Sequence, residues 1–406
     1  MGDRLDALWR DEWGRLLALL VAQYRRLDLA EDGLADAFEA AARTWPRDGA
    51  PTNAAAWLLT AARRRVLDRL RAETTAVRAR PMLAVEASLQ QEAQHVMTEI
   101  DEEVRDERLR LVLLCTNPAL PPESAAALAL RLVLGVGTAD IARLFLVSTP
   151  TLAARLTRAR KRLAGVRFEV PSGPELQERI ALAADVAYLA FTAAYAPASG
   201  DDVHRPELAE DALRLARVIR EVAPPNAELD ALVALTLLQH SRRDARVDAD
   251  GELVLLADQD RTRWHRGEID EAVELLTPLT SAPPAPYLLQ ALVAAEHAIA
   301  PSAADTAWTR ICRHYAELEQ LTGSPVVRLN RAVAVAEADG PLAGLRLLDG
   351  LALPGHRLPG VRAELLLRAG QHDAARAAFD LALTICDNEP ERRHLRRRRD
   401  ELPQQA

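Results

Sequence analysis

The side chains best suited to chemistry in this 406-residue sequence are arginines and threonines recurring at helical spacing. Between Gly137 and Leu163, Thr151, Arg155, Arg158 and Arg162 form one stripe, and Leu152, Leu156, Ala159 and Leu163 form an apolar one rotated by roughly 100°. Guanidinium groups donate bidentate hydrogen bonds to guanine and also pair with phosphates, so the chemistry is nucleic-acid recognition, with base and phosphate contacts not separable from sequence. A solvated arginine face on a bundle helix is the plain alternative. The local charge of +6 over residues 121–168, against −8 for the whole chain, speaks against it. A second stretch, Asn53 to Arg71, puts Trp57, Ala61, Arg64, Asp68 and Arg71 on one helix face and Leu59, Ala62, Val66 and Leu70 on another. Stacking of a base on an aromatic ring is worth about 1–3 kcal/mol in single-strand binders. Packing of Trp57 around Trp45 accounts for the same residue equally well.

Bond-making chemistry has no comparable constellation. No Gly-x-Gly-x-x-Gly follows a strand, there is no phosphate loop and no His-Glu-x-x-His, and the nine histidines stand singly. Cys115, Cys312 and Cys386 are odd in number and lack metal-ligand spacing, so no disulfide framework, metal centre or cofactor is expected. The cluster Asp258, Asp260, Arg261 and Arg263 beside Trp264 is better explained as a capped, salt-bridged helix start than as a ligand site. Arg392, Arg393 and Arg396 to Arg399 fit a solvated last helix whose cations suit the helix dipole. The chain is expected not to be an enzyme.

Helices must position these side chains. Ala, Leu, Arg and Glu dominate, β-branched runs are scarce, and apolar residues recur three and four apart, which predicts an all-α protein. Residues 137–163 have helix-turn-helix grammar: a short helix with Ile141, Ala142 and Leu144, a turn, then a restart at Ser148 or Thr149 with Pro150 at the first helical position. Upstream, an acidic amphipathic helix begins near Asp28 as cap, with Glu31, Asp32, Asp36 and Glu39 exposed. Val77 to Arg108 is acidic, weakly periodic and broken by Pro81, as a tether would be. A further boundary falls at Phe168–Pro174. Beyond it, Gly267-Glu-Ile-Asp-Glu-Ala272 and Gly370-Gln-His-Asp-Ala-Ala375 share Gly-x-x-Asp-x-Ala, with a looser copy at Gly340, which predicts helical hairpins of tetratricopeptide spacing. The expected domains are 1–76, a linker at 77–108, 109–168, and 169–406. Charge follows this division, with +3 over 1–168 and −11 beyond. No stretch approaches the roughly 20 apolar residues of a membrane span and the amino terminus is charged, so a cytoplasmic protein without membrane contact is expected.

Together the acidic Leu29-Ala-Glu-Asp32 helix, the Ala56-Trp-Leu-Leu-Thr-Ala-Ala-Arg-Arg-Arg65 helix and the helix-turn-helix resemble a bacterial sigma factor of the extracytoplasmic-function type, over residues 5 to 165. The resemblance implies a region 2 domain, a linker, a region 4 domain, and core RNA polymerase and promoter DNA as partners. It places core binding on Asp28, Glu31, Asp32, Asp36 and Glu39. Minus-ten recognition falls to Asn53, Trp57, Thr60, Arg64, Arg65 and Asp68 with the loop 47–53, and minus-thirty-five reading to Thr149, Thr151, Arg155, Arg158, Lys161 and Arg162. Phe168–Pro171, Asp258–Trp264, Ser324–Val335 and Gly340–Gly344 look like the long helical extension of one subgroup, which would modulate activity, including by contact with the sigma domains. Two departures stand out: Leu146 where many helix-turn-helix turns have glycine, and Thr192–Ala194 in place of Asn-Glu-Gly. The rival reading is a helix-turn-helix regulator or adaptor that is not a sigma factor and works through a protein-binding tail.

Overall fold

The computed structural model describes residues 2–75, 100–145, 147–163, 170–195 and 205–403. It is all-α, and the described residues contain no strand, only an isolated bridge between Val247 and Leu253. The chain forms two compact units, one of Met1–Ala190 with Arg217–Pro224, the other of Phe191–Ala216 with Pro225–Ala406.

In the first unit, α1 (Gly2–Tyr24) buries Trp13, Leu16, Leu17, Leu20 and Val21, a three-and-four spacing that gives it one apolar face. That face packs on α2 (Leu27–Asp48), α3 (Ala54–Thr75), α4 (Ile100–Cys115) and α5 (Pro122–Val133). Helix α5 is the centre of the unit. Ala125 to Leu130, Leu132 and Val133 are all buried, as expected of a helix apolar nearly all round. Its crossing with α1 is so close that a Cβ on Gly14 would lie 2.0 Å from the carbonyl oxygen of Val133. The next residues fix the same junction: Gly135 has φ +72°, and a Cβ there would meet the rings of Trp9 and Trp13 at 2.6–2.8 Å.

The helix-turn-helix follows as α6 (Thr138–Leu144) and α7 (Thr149–Leu163). Ser148 begins α7, its Oγ accepting from the Thr151 amide at 3.3 Å, and Pro150 stands second in the helix. Leu152, Leu156, Ala159 and Leu163 are buried, against α5 and α6. Leu146, the unusual turn residue, lies outside the described residues, as do 76–99 of the predicted tether and Phe168 at the predicted boundary. Where the tether was expected to reach 108, α4 is already helical from Ile100, and Glu107 in it is buried and paired with Arg110 at 2.5 Å. The first unit also reaches past the boundary expected near 168. Helix α8 (Gly173–Tyr195) buries Ile180, Ala183, Ala184 and Ala187, and Arg179 donates to the carbonyl of Leu113.

Part of α9 (Pro206–Val222) and all of α10 (Ala227–His240) belong to the second unit. Asn226 caps α10 by accepting from the Glu228 amide at 2.9 Å, and ten of the fourteen residues of α10 are buried, with α11 (Arg266–Leu276) and α12 (Pro286–Ile299) packed on the helix. From there each helix packs on the next: α13 (Trp308–Thr322), α14 (Pro325–Asp339), α15 (Pro341–Leu347), α16 (Arg357–Arg368), α17 (His372–Ile385) and α18 (Glu389–Asp400). Gly370 makes the α16–α17 turn with φ +75°, and Ala375 beneath it is fully buried. The proposed equivalence of Gly267 fails. That glycine lies inside the first turn of α11 with open space around it and is preceded by 3-10 turns rather than a helix. Thr192 and Ala194 sit in α8, Ala194 fully buried.

Candidate nucleic-acid interface

Two surfaces of the first unit carry the sequence-predicted residues. On α3, Asn53 is a cap, its Oδ1 accepting from the Ala56 amide at 2.9 Å, and the loop before it spans only 49–53 because α2 runs through Pro46 to Asp48. The buried stripe of α3 is Ala54, Leu58, Ala62 and Val66, with Leu59 and Leu70 only half-buried, so the helix is turned by one position from the predicted Leu59–Leu70 face. That rotation leaves Trp57, Thr60, Arg64, Arg65 and Asp68 lining a cleft of about 350 Å³ with Ala37 and Ala40 of α2. Trp57 makes the packing contact that one of the two sequence alternatives expected. Its ring meets Trp45 edge-on, centroids 5.4 Å apart at 65°, and it also forms part of the cleft wall.

On α7, Thr149, Thr151, Arg158, Lys161 and Arg162 are exposed opposite the buried stripe. Arg155 is half-buried, its Nη1 donating to Glu123 of α5 at 2.9 Å, and Arg162 reaches the carbonyl of Ala119 at 3.3 Å. Thr151, Arg158 and Lys161 are thus the centre of the outward face.

The acids of α2 depart from expectation. Asp28 is no cap but a first-turn residue held by Arg26 at 2.8 Å, and that hydrogen bond keeps its carboxyl below the usual range. Asp32 and Asp36 both pair with Arg69, at 3.1 and 2.9 Å, and exposed Glu39 faces Arg43 at 3.8 Å. Glu31, predicted exposed, is 7 % exposed. Its two oxygens accept from Arg131 Nε at 2.8 Å and Arg160 Nη2 at 2.6 Å. Sequence reasoning missed both arginines. Neither is close in the chain, although Arg160 could be suspected from its place beside Ala159, at the margin of the apolar stripe.

The remaining clusters resolve structurally. Asp260 caps its 3-10 turn through the Thr262 amide at 2.9 Å. Arg261 lies over Trp264 at 4.5 Å and donates to the carbonyls of His297 and Ala300 at 2.6 and 2.8 Å. The arginines of α18 are less solvated than predicted: Arg393 pairs with Glu252, Arg398 with Glu364 and Arg399 with Asp380, at 2.7–2.8 Å, while Arg396 and Arg397 stay exposed. His356, Cys386 and Glu391, distant in sequence, bring ligand-type atoms within 4.8 Å of one another. Burial alone would raise the Glu391 carboxyl. Its hydrogen bond to His356, with the charges of His356, Arg357 and Arg246, holds it low instead, so the group is a hydrogen-bonded carboxylate and imidazole beside a core thiol.

Residues 111–163 match the family Sigma-70, region 4, and residues 179–279 match a family of unknown function, DUF6596. An uncharacterized protein of Rhizobium meliloti (strain 1021) is 39 % identical over 396 residues, covering 95 % of this chain and 93 % of that one. No solved structure matches the chain. The region 4 match supports a sigma-70 family factor with a sigma-factor-like, DNA-binding helix-turn-helix, and implies in general contact with RNA polymerase and promoter DNA. No helix among the described residues is long and apolar enough to cross a membrane.

Proposed function

The chain belongs to the same family as the Rhizobium meliloti protein and carries a sigma-70 region 4 segment, and from that premise we propose that it is a sigma factor of the extracytoplasmic-function type. It directs core RNA polymerase to particular promoters in the cytoplasm and is neither an enzyme by itself nor dependent on a cofactor. The observation that carries this reading is the outward face of α7, where Thr151, Arg158 and Lys161 stand exposed on a helix-turn-helix with its apolar stripe fully packed. That face reads minus-thirty-five duplex. The cleft of Trp57, Thr60, Arg64, Arg65 and Asp68 takes unstacked minus-ten bases, whose unpairing cost of a few kcal/mol is offset by capture on an aromatic and basic surface. Acids of α2 dock on core polymerase. The helical hairpins of the second unit, tetratricopeptide-like in spacing, modulate activity, including by contact with the sigma modules.

Run-off transcription with purified core enzyme and fragments of the chain's own upstream region tests the reading. Initiation only when the full-length protein is added is the expected result. The burial of Glu31 favours a second reading, a regulator with no polymerase-docking helix, and it has its own signature: tight DNA binding without core and no co-elution with core. That pattern, with no transcript, would replace the sigma-factor reading.

A further inference from the structure

We propose that Glu31 locks the α1–α3 module onto the region 4 segment in the free protein, and that a partner binding the acidic face of α2 must break this lock. The identity of the partner rests on the sigma-factor reading; the lock does not. Glu31 is unlike the other acids of α2. Asp28, Asp32 and Glu39 are exposed and Asp36 is half-buried, all with cations from their own module, whereas Glu31 is buried and takes its two cations from α5 and α7, 100 and 129 residues away. Both carboxylate oxygens are used, and the guanidinium of Arg131 is held further by its surroundings. Arg131 also donates to the carbonyl of Val136 at 3.3 Å and lies over the ring of Trp13 at 5.8 Å, and the Nε of Arg160 is buried. Around this centre the same two modules are joined by the Trp9 indole, which donates to the carbonyl of Gly135 at 3.0 Å.

A carboxylate so placed has one use at a time. While both oxygens are held by Arg131 and Arg160, Glu31 offers nothing to an outside cation, and the two modules keep a fixed spacing. A basic docking surface that captures Glu31 together with the exposed acids of α2 has to replace those guanidinium groups and so frees α2 from α7. Closure and docking are therefore alternatives linked through one side chain, and the apparent affinity for the partner is reduced by the fraction of molecules that are closed. Because the carboxylate is buried, salt screens this pair far less than it screens Asp32 or Glu39.

Hydrogen exchange read by mass spectrometry on the full chain tests the lock without any partner. Arg160→Gln should speed exchange in peptides covering Trp9–Leu17 and Arg131–Val136 while leaving those of α10 and α12 unchanged, and Arg160→Lys should restore part of the protection. Unchanged exchange in the glutamine variant overturns the lock. Faster exchange everywhere overturns it too, because Arg160 would then be a general folding residue. Titration with purified core polymerase tests the coupling: the glutamine variant should bind roughly 5- to 50-fold more tightly than the wild type, and Glu31→Gln should not. Equal affinity of wild type and Arg160→Gln overturns the coupling. Local opening with no core binding by either protein overturns the sigma-factor reading and the coupling together, while the exchange data show separately that the lock exists.

Discussion

Arg155 and Arg158 lie one turn apart on α7 and have different roles open to them. Arg155 is held at 2.9 Å by Glu123, so using it on DNA first requires breaking a partly buried pair, whereas Arg158 is exposed and makes no ion pair among the described residues. Arg158→Ala should therefore weaken promoter binding more than Arg155→Ala, by about 1–3 kcal/mol if Arg158 contacts a base. If it contacts phosphate instead, the loss is uniform across sequences and the salt slope falls by about one. Binding titrations on matched and mutated minus-thirty-five elements at several salt concentrations distinguish these. Trp57 serves stability and the cleft at once through its contact with Trp45. Trp57→Phe should retain most of the melting temperature and lose part of the open complex, and Trp57→Ala should lose both; permanganate reactivity at the minus-ten element and a thermal melt report the two effects. At this scale the exposed face of α7 was legible in the sequence because helical periodicity alone decides it. Glu31 was not, because its burial is set by arginines more than a hundred residues away that no local pattern reveals.

Elements were legible where local rules act without competition. The start of α7 at Ser148–Pro150 and the apolar stripe of α7 both follow from residue type and spacing. The face of α3 did not, since two overlapping apolar series, Leu58–Ala62–Val66 and Leu59–Ala62–Val66–Leu70, fit a helix and only packing on α2 selects the first. The glycines give the sharpest contrast between pattern and packing. Gly267 matched a repeat yet stands in open space inside a helix, so Gly267→Ala should be neutral or stabilise by up to about 1 kcal/mol. Gly135 belonged to no motif, yet its φ of +72° and the indole rings 2.6–2.8 Å from any Cβ leave no room. Gly135→Ala should destabilise by at least about 1–3 kcal/mol, read as a lower denaturant midpoint with an unchanged slope. Equal midpoints for the two variants would mean that the α5–α6 junction does not need its close contact with α1.

For the whole molecule, the sequence total of −8 was informative only once divided, since the segment up to 168 carries +3 and the remainder −11. Its response to pH was not legible at all, because it arises from burial of residues that stand singly in the sequence. Burial, with Arg242 and Arg261 nearby, pushes His297 from 6.5 down to about 4, and burial also lowers His314 and His394. The unfolded chain binds protons at these histidines near pH 6.5 that the folded chain refuses until the pH is much lower, so stability falls as pH drops through that window. For His297 the full effect is on the order of 3 kcal/mol. Glu268 and Glu391 act in a second, lower window. Burial would raise both, but hydrogen bonds and charges from His240 and Arg243 on one, and from His356, Arg357 and Arg246 on the other, hold them below their ordinary value of 4.5. Stability from these two is complete above that value and is lost as pH falls through their folded range. Melting temperature should therefore decline as pH falls below about 6.5 and more steeply below 4.5, where both windows act. In His297→Gln the ring contact with Trp308, centroids 5.1 Å apart, is lost, so the variant melts lower at every pH, but its decline between pH 6.5 and 4.5 should be shallower than in the wild type. A parallel decline in the two proteins would remove His297 as the source of the upper window and shift it to His314 and His394, whose glutamine variants would then flatten the curve instead.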